Sequence, residues 1–203
     1  IGIADQYNRL IQNAFTVGNY VAAFEGLYLV IQLRSLLIAL ATTVLCIVLG
    51  YPVAYWIGVK AGKMKNLAML LVIIPFWSSF LIRTYAMMSL LYRGGVINQI
   101  LLQLGLIHEP LDLLYNPFSV MLGMVYNYLP YMILPLYAST EKLDLSLLEA
   151  GQSLGANPAR VFLRITFPLT RPGILAGSIL VFVPAFGEFV VPQLLGGTSS
   201  VMV

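Results

Sequence analysis

Two ionisable side chains, Arg83 and Glu188, stand inside stretches too apolar to belong in water. A third, Glu149, heads a segment in which Ala150, Gly151, Gly155, Ile165 and Pro168 follow at fixed intervals. A charge in an apolar solvent is costly, so Arg83 and Glu188 face the protein interior or a watery cavity and need partners. Two roles are open to them: an ion pair with each other or, for Glu188, attraction of a cation passing through. Arg83 lies sixteen residues past Leu67 and Glu188 fourteen past Ile174, which at about 1.5 Å per residue gives similar depths of about 24 and 21 Å. Catalysis has no comparable footing. His108 is the only histidine and Cys46 the only cysteine, so no histidine-based metal cluster or triad and no intrachain disulfide can be assembled. The run Gly58-Val59-Lys60-Ala61-Gly62-Lys63-Met64 is one residue short of phosphate-loop spacing and lacks the following Ser or Thr.

The elements that must position these groups are membrane helices. Of 203 residues, 60% are hydrophobic and 9% charged, and the mean hydropathy is +0.89, far from a soluble domain. Roughly 20 helical residues cross a hydrocarbon core of about 30 Å. Four stretches qualify: Leu36–Val59, Leu67–Leu91, Phe118–Ala138 and Ile174–Leu195. They contain Pro52, Pro75, Pro130, Pro135 and Pro184, which helices packed among neighbours tolerate because other groups re-satisfy the freed carbonyls.

The net charge of +3 does not point to nucleic acid, because the basic residues are placed by topology. Lys60, Lys63 and Lys65 follow the first span, and Lys142, Arg160, Arg164 and Arg171 follow the third, whereas the Tyr92–Pro117 loop carries only Arg93. The two basic loops are therefore expected to be cytoplasmic, and Ile1–Gln32 and Tyr92–Pro117 to face outward. Within the outer loop, Gly94-Gly95 predicts a turn, Val96–Leu104 a short helix stopped by Gly105, and Asn116-Pro117 the next helix start. It is a simple connector, a lid or a contact for an outside partner. The chain opens on Ile1 without a methionine or signal-peptide pattern and stops at Val203 just past a span, so a longer protein with a further span at each end is expected.

The segment from Ser139 to Pro172 is more ordered than a connector requires. Ser146-Leu147-Leu148-Glu149 has the capping-box pattern and predicts a helix start near Ser146. Leu145 is placed to staple against Ala150, and Gly155 fits the left-handed position that ends such a helix. Asn157-Pro158 predicts a second start, and Pro168 its end at Phe167. Helix, glycine turn and helix make a knob with small residues Ala150, Gly151, Gly155 and Ala156 and apolar anchors Leu147, Leu148 and Leu154. It either docks on another protein or lies as an amphipathic pair on anionic lipid.

Glu149-Ala150-Gly151, three residues, Gly155, nine residues and Ile165-Thr166-Phe167-Pro168 resemble the EAA motif, E-A-A-x3-G-x9-I-x-L-P, of permease subunits of bacterial ABC importers. Gly151 stands for the second alanine and Phe167 for the leucine. The stretches Ile74–Ala86, Tyr137–Asp144 and Pro184–Gly197 resemble the polyamine branch of that family, the putrescine and spermidine permeases; permeases for iron, thiamine and other solutes share the scaffold. The resemblance implies an all-α integral membrane protein of the type I, MetI-like importer fold, with at least four transmembrane helices here and six in the full chain. It also implies a multi-pass place in the bacterial inner membrane and a coupling loop, 139–172, seated on a cytoplasmic ABC ATPase dimer. Glu149, Ala150, Gly151, Gly155, Ile165 and Pro168 would form that contact. ATP and Mg would sit on the ATPase, with no cofactor on this chain. A second homologous permease and an extracytoplasmic polyamine-binding protein would complete the system.

A polyamine is a flexible polycation with a methylene spine, so its path wants carboxylates and aromatic faces. Glu188 can supply the first, and Trp77, Tyr85, Tyr126 and Phe186 the second, although aromatics in spans also serve as packing and interface anchors. An ion-driven secondary transporter is the competing class. Such proteins commonly carry internal repeats, and no convincing repeat is present.

Overall fold

The computed structural model describes residues 26–197; most of the expected outward segment 1–32 lies outside them. Three helical runs are long and apolar enough to cross a membrane: Leu29–Lys60, Pro117–Thr140 and Pro158–Phe186. The first comprises α1 (Gly26–Tyr55) and a π turn, Trp56–Lys60. α5 (Pro117–Thr140) is the second, started by Asn116, whose side chain accepts from the Ser119 N–H at 2.9 Å while its own N–H donates back to the Ser119 hydroxyl. The third joins α7 (Pro158–Val161), a π turn at Phe162–Thr166 and α8 (Phe167–Phe186).

α1, α5 and α8 pack on one another. Ala39, Cys46, Ala54, Met124, Met132, Leu136, Val181 and Ala185 are sealed between them, whereas Leu33, Leu37, Val44 and Val48 on α1 and Leu175, Ile179 and Val183 on α8 stay exposed. Apolar side chains on the outer face suit lipid, where association rests on close packing rather than on escape from water. Gly173 and Gly177 are four apart on α8 and supply that closeness. A Cβ on Gly173 would lie 2.4 Å from the Ser139 hydroxyl oxygen and 2.7 Å from the Pro135 carbonyl oxygen, so the two backbones approach nearer than any side chain permits.

The expected span Leu67–Leu91 is not one straight helix. It comprises α2 (Lys65–Ile73), a 3-10 turn at Ile74–Trp77 and α3 (Phe80–Leu91), and the runs Gly62–Trp77 and Phe80–Gln103 meet at 95°. Pro75 lacks an N–H, and Ser78 turns extended at ψ 147°. The ladder ends there because Ser78 folds back, its N–H and hydroxyl donating to the Pro75 carbonyl at 3.3 and 2.8 Å. A fourth crossing is therefore possible only as a bent pair. The expected span Ile174–Leu195 likewise ends at Phe186; the chain breaks at Gly187 and resumes as α9 (Val190–Gly196).

The helix begun at Asn157-Pro158 does not stop at Phe167. It passes through the π turn into α8, with Pro168 in the first turn of that helix. A π turn already departs from the i→i−4 ladder, so a residue without an N–H is accommodated just after it. At the opposite end, α4 (Val96–Gln103) follows the turn closed by the Gly95 N–H on the Tyr92 carbonyl at 2.7 Å. Buried Asn98 pins the loop beyond it, exchanging hydrogen bonds of 2.9 Å with both the N–H and the carbonyl of Leu111.

Candidate functional site

The knob begins two residues earlier than the Ser146 capping box predicts. α6 (Leu145–Ser153) is capped by Asp144, whose carboxylate accepts the Ser146 N–H at 3.0 Å. A charged carboxylate in extended backbone makes a stronger cap than a hydroxyl, and Asp144 therefore displaces the Ser146–Glu149 box. The Ser146 hydroxyl and amide hold the Asp144 carboxyl below its ordinary range. Glu149 consequently falls in the second turn, exposed.

α6 ends at Gly155, with φ +81°. The Gly155 N–H bonds to the Gln152 carbonyl at 2.9 Å and the Ala156 N–H to the Gly151 carbonyl at 3.1 Å, the paired closure of a Schellman motif. Asn157 then caps α7, accepting the Arg160 N–H at 2.8 Å, with Pro158 first in the helix. Glycine at 151 has a local reason: a Cβ there would lie 2.9 Å from Ile165 Cδ1 and 3.4 Å from Val161 Cγ2. Gly151 and Ile165 thus meet inside the knob and hold its two helices together, while Glu149, Ala150 and Gly155 face outward. Leu154, at the tip, is 89% exposed, an apolar side chain with nothing of its own chain to cover it. A cleft of about 450 Å³ between the knob and the end of α1 is lined by Tyr55, Lys60, Glu149, Gln152, Phe162 and Thr166. Beside the knob's first root Lys65 pairs with Glu141 and keeps that carboxyl below its ordinary range.

Arg83 and Glu188 do not pair. Neither ion pair among the described residues, Lys65–Glu141 or Arg93–Asp112, includes them. Arg83 is 6% exposed and donates from Nη1 to the Pro75 carbonyl at 3.2 Å, serving the elbow that a straight helix would not have. The depths counted from sequence assumed two unbroken helices, and both are broken. Glu188 sits in the gap between α8 and α9. Its Oε1 accepts the N–H groups of Val190 at 2.8 Å and Val191 at 3.4 Å, and its Oε2 accepts the Tyr128 hydroxyl at 2.7 Å.

Three rings connect what an ion pair does not. Tyr128 lies 6.1 Å from Tyr131, Tyr131 lies 4.7 Å from Phe76, and the Arg83 guanidinium stands 5.7 Å over the Phe76 ring. None of the aromatics singled out from sequence belongs to this row. Trp77 is 80% exposed at the elbow, Tyr85 and Tyr126 are exposed, and Phe186 stacks on Phe182 at 6.2 Å. The signal for Tyr128 and Tyr131 was their spacing of three on α5, which places both on one helix face; Tyr126 points the other way.

Residues 47–203 match the family described as binding-protein-dependent transport system inner membrane component. The chain belongs to that family. This inner-membrane permease is 43% identical over 193 residues to the spermidine/putrescine transport system permease protein PotB of Escherichia coli (strain K12), an alignment covering 95% of this chain and 70% of the relative. It is 42% identical to the protein of the same description from Haemophilus influenzae, over 93% of this chain and 66% of the relative. The inner membrane ABC transporter permease protein YdcU of Escherichia coli is 36% identical, over 95% and 65% respectively. As a permease, the chain is a membrane-spanning subunit of a transporter with further subunits, and its work is transport rather than catalysis.

Proposed function

We propose that this permease moves spermidine or putrescine across the inner membrane by alternating access, driven through the 139–172 loop by a cytoplasmic ABC ATPase dimer. The observation that carries the solute is the 43% identity over 95% of the chain to a spermidine/putrescine permease. Glu188 supports it: its carboxylate is held by neutral donors with no cation paired to it among the described residues, so negative charge is left for a polycation.

The knob supports the drive. Its helix ends are closed internally by Asp144, Gly155 and Asn157, and it presents Glu149, Ala150, Gly155 and the bare Leu154 side chain. A preformed surface of small and apolar groups loses little entropy on docking. ATP and Mg belong to the ATPase, solute delivery to an extracytoplasmic polyamine-binding protein, and the other half of the pathway to a second homologous permease.

Competition tests the solute. In vesicles bearing the assembled transporter, unlabelled putrescine and spermidine are expected to suppress labelled spermidine uptake, and thiamine, ferric iron and molybdate to leave it unchanged. Suppression by one of the latter and not by polyamines would reassign the cargo.

A further inference from the structure

We propose that Tyr51, Gly58, Thr140 and Thr170 are positioning residues that bolt both roots of the 141–166 loop to the end of α1, making the ends of α1, α5 and α8 one lever. This rests on the reading above that the loop is moved by an ATPase.

The first root is Thr140, the last residue of α5, which is 1% exposed and whose Oγ1 shares its one proton between the Ala54 carbonyl of α1 at 3.1 Å and the Tyr137 carbonyl of its own helix at 3.0 Å. Gly58 makes room for it. A Cβ there would stand 2.4 Å from Thr140 Oγ1 and 3.1 Å from the Glu141 backbone nitrogen, and neither a short side chain nor backbone can swing aside. The second root is Thr170 in the first turn of α8, fully buried, with its Oγ1 2.7 Å from the Tyr51 hydroxyl. Thr170 also lies 2.9 Å from the Thr166 carbonyl. Its single proton goes there, so Tyr51 is the donor. The Tyr51 ring meets Phe162 edge-on at 5.4 Å, fastening the loop's last turn as well.

Tyr51 and Ala54 are three apart on one face of α1, and Gly58, four further on in the π turn, extends that side, so one side of this run receives both roots. Each root also lies beside a π turn, Trp56–Lys60 or Phe162–Thr166. There the regular ladder is interrupted and a helix bends most easily. Left alone, those turns would be hinges that absorb a push on the loop. Tyr51 brackets one of them, its ring on Phe162 at the start and its hydroxyl on Thr170 past the end, and Thr140 bonds Ala54 just before the other while packing on Gly58 within it. Buried hydrogen bonds in a low-dielectric interior hold more firmly than exposed ones. The elbow helices α2 and α3 are fastened differently. Their tie to the first root is Lys65–Glu141, with side chains 30% and 42% exposed, and an exposed pair contributes little. A push on the loop therefore moves three spans together, while the bent pair follows only through its own contacts with α5, the Phe76–Tyr131 rings and the Asn127–Thr84 hydrogen bond.

The test uses the complete transporter in vesicles, with its ATPase and binding protein and with spermidine as the probe. Spermidine imported per ATP hydrolysed is read beside ATPase co-purification and binding-protein-stimulated hydrolysis. Tyr51→Phe and Thr170→Val are expected to lower that ratio about tenfold, within the usual range of coupling between sites, with co-purification and stimulated hydrolysis kept. Thr170→Ser retains the hydroxyl and is expected to keep the wild-type ratio. Tyr51→Phe conserves volume, and it decides alone if Thr170→Val fails to assemble. An unchanged ratio in Tyr51→Phe, whether activities stay normal or fall in proportion, overturns the bolt, as does a Thr170→Ser protein as uncoupled as Thr170→Val. Absence of co-purification and stimulated hydrolysis in the unaltered protein would overturn the ATPase reading itself, and the bolt with it.

Discussion

Glu149→Lys and Gly155→Asp are each expected to detach the ATPase and stop transport while leaving the permease inserted. Glu149 lies exposed on the second turn of α6, so reversing its charge changes the docking surface and little in the fold. Like charges brought together at an interface cost several kcal/mol, enough to unseat a contact whose other parts are small and apolar. Gly155 acts through the backbone. At φ +81° a side chain meets the left-handed penalty of about 1–2 kcal/mol, and a carboxylate there also faces the negative end of the α6 dipole. Both variants are expected to reduce ATPase co-purification and spermidine uptake at least about tenfold, the factor that corresponds to about 1.4 kcal/mol. Unchanged co-purification and stimulated hydrolysis in both would refute the docking role. The bolt variants differ from these in the quantity they spare: there the ATPase stays attached and active while uptake falls.

Glu188→Gln separates the two things one carboxylate does. In place, Glu188 caps α9 through the N–H groups of Val190 and Val191 and receives the Tyr128 hydroxyl. Glutamine keeps an acceptor oxygen for the two amides, and its NH2 can donate to the Tyr128 oxygen once that hydroxyl rotates. The charge alone is lost. Glu188→Gln is therefore expected to assemble normally with the ATPase and to lower spermidine uptake about tenfold, as loss of one charge-assisted contact worth about 1.5 kcal/mol would. Glu188→Ala removes the cap as well, costing about 0.5–2 kcal/mol more, and is expected to lower the thermal midpoint of the purified permease. Normal uptake kinetics in a correctly inserted Gln variant would leave Glu188 as a cap and nothing else.

What the sequence made legible was local chemistry. Asn116-Pro117, Asn157-Pro158 and Gly155 each carry their own reason for being where they are, and the helix starts and the left-handed stop fall at those residues. The Ser146–Glu149 box failed because two caps competed within three residues and the carboxylate of Asp144 prevailed. Gly173 and Gly177 drew no notice in the sequence, and only the Ser139 and Pro135 atoms beside Gly173 show what it is for.

Geometry that depends on distant partners was not legible. Ile74–Ala86 is apolar enough to pass for a continuous span, and the elbow at Ser78 exists because one serine and Arg83 together take over the Pro75 carbonyl. Counting residues along straight helices then matched Arg83 with Glu188 in depth, although each belongs to a break. The π turns are also silent in sequence. Trp56–Lys60 and Phe162–Thr166 have no composition of their own and appear where Thr140, Tyr51 and Phe162 draw the helix ends together.

This permease is expected to carry a polyamine on energy delivered through the loop from Glu149 to Pro168. Spermidine accumulation in vesicles bearing the complete transporter tests it most directly, with ATP and an imposed ion gradient supplied separately. Accumulation is expected to require ATP and the binding protein and to persist when ionophores collapse every gradient. Accumulation driven by an ion gradient without ATP would make the protein an ion-driven carrier and remove the loop's role in energy delivery.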